Sequence, residues 1–81
     1  MSKFVIEVQQ YFQSTRTPSN CNAITIVNQS ATVPFYVNNV LVLPGNIFQV
    51  EGNEGETDVT EYFIDMKGLN GECMLIKKVI K

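Results

Sequence analysis

Asn38 and Asn39 stand between two short runs of β-forming residues, 33–37 and 40–43. Asparagine tolerates positive φ, and a two-residue hairpin turn of type I′ demands positive φ at both central positions. The pair therefore predicts a tight β-hairpin. From residue 23 onward the chain repeats this layout of brief apolar runs cut by turn residues. Ala23–Asn28 alternates, with Ile24 and Ile26 on one face. Pro44-Gly45 fits the centre of a type II turn, whose twist does not suit a tight hairpin, so a change of sheet is expected there. Residues 46–51 then place Phe48 and Val50 on one face, and residues 59–66 do the same with Tyr62, Ile64 and Met66. Gly68, Asn70 and Gly71 turn the chain into a last strand over 72–80. About six short strands at this spacing predict an all-β fold, either a small antiparallel sandwich or a partly closed barrel.

A chain of 81 residues makes one domain. Its composition divides near residue 20. The polar stretch 13–22, with Pro18, reads as a linker or long loop. An N-terminal arm and linker over 1–20 would then precede a β domain over 21–81. The arm itself supports two readings. As a helix capped by Ser2, it gathers Phe4, Val5, Val8, Tyr11 and Phe12 within one arc. As a strand, it alternates Phe4, Ile6 and Val8 against Val5, Glu7 and Gln9, and the β-branched residues favour this.

The chemistry of most enzymes is missing. With no histidine, triads that use His as base and His-containing zinc sites are excluded. No phosphate-binding glycine motif occurs, and the glycines of 52–56 are interleaved with acids that would repel a phosphate. No catalytic residue, no cofactor-binding residue and no metal ligand is assigned, and no small-molecule substrate is expected. Cys21 and Cys73 lack metal-site spacing and are expected as free thiols, a disulfide between adjacent strand ends being the alternative. The formal charge of −2 gives no reason to expect nucleic acid or an anionic membrane as partner. No apolar run approaches the roughly 20 residues of a spanning helix. The first residues lack the pattern of a signal peptide, because Glu7 interrupts the apolar stretch. A cytosol-like compartment is expected.

Charged residues make up 17% of the chain, against about a quarter in ordinary globular proteins. Runs such as 40–43 and 74–76 are apolar on both faces, and Phe63 lies opposite the core face of its strand. Inner strands of a sandwich explain such runs, and so does a second face covered by a partner subunit. Glu51, Glu54, Glu56, Asp58, Glu61 and Asp65 supply six of the eight acids with no base among them. Their spacing does not match an EF-hand, which leaves a solvated loop or a docking patch for a basic surface. Lys77, Lys78 and Lys81 read as edge-strand lysines that block unwanted pairing. Partner-binding candidates are Phe4, Val8, Tyr11 and Phe12 in the arm, Glu54, Glu56 and Asp58 in the acidic loop, and Phe63.

The order of Ile24-Thr25-Ile26-Val27-Asn28-Gln29-Ser30, Val37-Asn38-Asn39, Leu43-Pro44-Gly45, Phe48-Gln49-Val50 and Thr60-Glu61-Tyr62-Phe63-Ile64 resembles small β-sandwich proteins of tailed-bacteriophage particles. These are capsid decoration proteins and head or tail accessory proteins, and the resemblance covers residues 23–66. It implies a non-enzymatic structural or assembly role in a virion, in symmetric copies, with other virion proteins as partners and no catalytic residue. Synthesis would be in the host cytoplasm. A small ligand- or carbohydrate-binding module and a phage inhibitor of a host enzyme are the competing expectations.

Overall fold

Alternating apolar residues build two layers. The structure, a computed structural model, describes residues 3–53 and 55–80. Eight strands occur among them: β1 (Phe4–Tyr11), β2 (Thr15–Pro18), β3 (Ala23–Asn28), β4 (Phe35–Val37), β5 (Val40–Val42), β6 (Ile47–Glu51), β7 (Glu61–Asp65) and β8 (Cys73–Ile80). They form two four-stranded sheets, sheet A in the order β1-β8-β3-β6 and sheet B in the order β2-β7-β4-β5. All pairs are antiparallel. Each sheet keeps two edges, so the fold is a sandwich and the barrel alternative does not hold.

Sheet A contributes Ile24 and Ile26 of β3 and Cys73 and Leu75 of β8 to the core. Sheet B contributes Phe35, Val37, Val42, Tyr62 and Ile64, and Met66 closes the cluster. Tyr11, Phe48, Val50 and Val79 pack against its margin. Complete burial of a side chain such as Phe35 or Ile64 contributes about 1.5–3 kcal/mol.

The turns are as the sequence predicts. Asn38 and Asn39 have φ of 48° and 70° and join β4 to β5. The Asn46 N–H donates to the Leu43 carbonyl across Pro44-Gly45, with Gly45 at φ 84°, and the chain passes there from sheet B to sheet A.

Of the two readings of the arm the strand holds, because β1 pairs with β8 along its whole length; the Ser2 cap of the helical reading lies outside the described residues. Several other expectations are corrected. The expected linker contains β2, whose register on β7 runs from Thr15–Ile64 to Pro18–Glu61. Thr17 and Ser19 of that segment are buried. Residues 4–18 thus supply one strand to each sheet. Residues 40–42 form edge strand β5, with Val40 and Leu41 exposed, and not an inner strand. The last strand is no edge either, since β8 lies between β1 and β3. Lys77 points inward, is buried, and donates from Nζ to the Pro18 carbonyl at 2.6 Å, fastening β8 to the end of β2. Lys78 lies on the outer face with Nζ 5.0 Å from the Phe4 ring centre, and Lys81 is outside the described residues. Both cysteines are free and buried.

Candidate functional site

Cross-strand register fixes which side chains share a face, because directly opposed residues in an antiparallel pair point the same way. On the outer side of sheet A, one row runs Gln10, Met74, Val27, Ile47. The next runs Val8, Ile76, Thr25, Gln49. A third runs Ile6, Lys78, Ala23, Glu51, and Phe4 opposite Ile80 ends the face. Phe4, Ile6, Val8 and Ile47 are each more than half exposed. Lys78 and Glu51 are the two charged groups on these rows.

The outer side of sheet B is different. Phe63 lies beneath the Arg16 guanidinium, 4.6 Å from the ring centre, and Arg16 reaches Glu61 at 3.4 Å. Lys67 lies 5.1 Å from the Tyr36 ring centre and pairs with Asp65 at 3.2 Å. Each aromatic ring there is roofed by a cation that also meets an acid. Leu41, opposite Tyr36 on this face, is half exposed without such a cover, but the paired charges keep Phe63 and Tyr36 from forming a broad apolar patch.

The candidate residues therefore separate. Phe4 and Val8 fall on the apolar face of sheet A. Tyr11 points inward and packs on the core margin, with its hydroxyl donating to Gln9 Oε1 at 2.8 Å. Phe12 is exposed just past β1, beside an open cleft of about 470 Å³ lined by Gln10, Tyr11, Gln13 and Asn70. Phe63 lies on the opposite layer. Missing from the candidates are Ile6, Ile47, Met74 and Ile76, which complete the apolar face. Period-two alternation within each strand marked their parity, but their neighbours depend on pairing between distant segments.

The acidic segment is held more firmly than a solvated loop. The Asn22 side chain donates to the carbonyls of Asn53 and Glu56 at 2.7 and 2.9 Å. The Glu56 carboxylate accepts from the Asn53 N–H at 2.6 Å. Asp58 accepts from the Thr60 N–H at 2.8 Å and from the Tyr62 hydroxyl at 2.6 Å. Partial desolvation opposes ionisation of Asp58, but these hydrogen bonds outweigh it and hold the carboxyl below its ordinary range. Desolvation, with Asp58 beside it, pushes the Tyr62 hydroxyl up to about 12. Glu54 is outside the described residues. A cleft of about 230 Å³ opens between Asn22, Val50, Glu56 and Asp58. Ligand pockets usually span about 300–1,000 Å³, and the Asn22 amide that lines this one already serves two carbonyls. Among the described residues, no three His, Cys, Asp or Glu side chains converge as a metal site.

Comparison with family models, with curated proteins and with solved structures finds no match to this chain.

Proposed function

We propose that this chain is a non-enzymatic assembly subunit that docks other proteins through the outer face of sheet A. The observation that carries the reading is the asymmetry of the two layers: one outer face has its aromatic rings covered by paired cations, and the other presents Phe4, Ile6, Val8 and Ile47 to solvent. A contiguous apolar surface is costly to leave in water and marks a contact site. The narrower proposal, an accessory or decoration subunit of a tailed-phage virion, is carried by the resemblance in strand and turn order over residues 23–66.

Mass-spectrometric counting of the chain in purified particles tests both levels. A fixed copy number per particle is expected, and absence from particles overturns the virion reading. Ile47→Lys places a charge on the apolar face at the edge strand opposite β1. It should reduce incorporation at least about tenfold, as a charge stranded in an apolar contact costs more than 1.4 kcal/mol. Its melting temperature should stay within a few degrees of the parent protein, because the position is exposed. Normal incorporation of this variant overturns the docking face.

A further inference from the structure

β1 is an edge strand with an unusual exposure. Residues 3–10 are exposed on both faces, although Val5, Glu7 and Gln9 point toward the side on which sheet B lies. Sheet B therefore does not roof β1. The main-chain groups of β1 that face away from β8 have no strand partner among the described residues. Native sheets usually blunt such an edge with lysines, proline, a bulge or a covering loop. Here Glu7 is the one charge of β1 and Lys3 immediately precedes it, β1 contains no proline, and neither charge forms an ion pair within the described residues.

We infer that β1 pairs antiparallel with β1 of a second copy, across a two-fold axis that passes through Val5. The inference rests on the assembly-subunit reading and names its first partner. An axis perpendicular to the sheet keeps outer faces together, so only residues of like parity can meet. With the axis at Val5, Lys3 of each copy lies opposite Glu7 of the other, and Phe4 lies opposite Ile6. Each charge then finds a complement on the other copy, twice by symmetry. The neighbouring registers lack this property. An axis at Glu7 opposes two carboxylates, and an axis at Ile6 sets Glu7 against Val5. The interface is isologous and closes on itself, as two-fold contacts do. It joins two copies of sheet A into one continuous sheet and doubles the apolar outer face.

Sedimentation velocity over a concentration series, with the full chain, tests the pairing. A dimer is expected. Lys3→Glu and Glu7→Lys should each raise the dimer dissociation constant about tenfold or more, since symmetry repeats the like-charge contact. The double exchange Lys3→Glu/Glu7→Lys should restore it, and circular dichroism should show all three variants folded. Val5→Cys should give a disulfide-linked dimer under mild oxidation, because the axis sets the two side chains directly opposite each other on one face, while native Cys21 and Cys73 are buried. A protein that stays monomeric at every concentration overturns the pairing. So does a dimer that both single reversals leave intact, or one that the double exchange fails to rescue. A monomer whose Ile47→Lys variant is still lost from particles removes the pairing and leaves the docking face. A rescued dimer with normal incorporation of Ile47→Lys does the reverse.

Discussion

Asn28 does the work of a missing strand contact. It is fully buried, and its amide donates to the carbonyls of Val33 and Val42 at 3.0 and 2.9 Å while its Oδ1 accepts from the Ser30 N–H at 2.9 Å. Its backbone also binds Asn46 and Gly45, so one residue ties β3 to the connections on either side of the β4–β5 hairpin. Tyr62 and Asp58 form a second polar contact at the core margin, and it gives the protein a pH signature. The hydroxyl of Tyr62 titrates near 12 in the folded chain against an ordinary value of 10.0. The folded state thus holds its proton where the unfolded state releases it. Stability from this group is present below about pH 10 and is lost as pH rises toward 12. Cys73, pushed up to about 12 by burial, adds loss of the same sign above its ordinary 9.0. Urea titrations at successive pH values should therefore show stability falling above pH 9. Tyr62→Phe should flatten the slope between pH 10 and 12 and cost about 1 kcal/mol at neutral pH through the lost hydrogen bond. An unchanged alkaline slope in that variant would place the tyrosine's titration outside the folding equilibrium.

The hairpin between β4 and β5 is the most legible piece of the chain, for a local reason. Positive φ is a property of two adjacent residues, and Asn38 and Asn39 advertise it without reference to anything distant. Asn38 adds anchoring, as its Oδ1 accepts from the Phe63 N–H at 2.8 Å. Replacing both by alanine should cost about 1–2 kcal/mol per residue from left-handed backbone alone, with more from the Phe63 contact. Asn39→Gly, at φ 70°, should be neutral or stabilising. Chemical denaturation distinguishes the two, and equal losses would mean that the turn does not set the register. β1 was open between helix and strand because its neighbour β8 lies at the other end of the sequence, and no local pattern contains that fact. β2 was invisible because Thr15-Arg16-Thr17-Pro18 has no apolar alternation, and it joins its sheet through main-chain pairing with β7. Asn28 stood in the alternation of Ile24 and Ile26, so its inward direction could have been read. Its role could not, because the carbonyls it satisfies belong to residues brought in by the hairpin. Of the candidate site, Phe4 and Val8 are legible within the arm itself, on the face they share in both the helical and the strand reading, while Ile47, Met74 and Ile76 become their neighbours only through pairing.

Apart from that hairpin, every strand pairs with one far away in sequence, β1 and β3 with β8, β2 with β7, β3 with β6. The molecule therefore has little that folds alone, and closing such long loops makes small β-sandwiches slow, typically milliseconds to seconds. The same arrangement sets Phe4 directly opposite Ile80, with α-carbons of an antiparallel pair about 4.5–5.5 Å apart. A few glycines joining these two positions should close the described strands into a ring, and the opening can be moved to the exposed segment at Gly55 without crossing a strand. Such a permutant should fold to the same circular-dichroism spectrum. Failure to fold would mean that the order of synthesis is part of the specification. In the unpermuted chain the segments leaving Phe4 and Ile80 emerge side by side, so that cargo genetically fused beyond either of them would be carried on the same flank of sheet A.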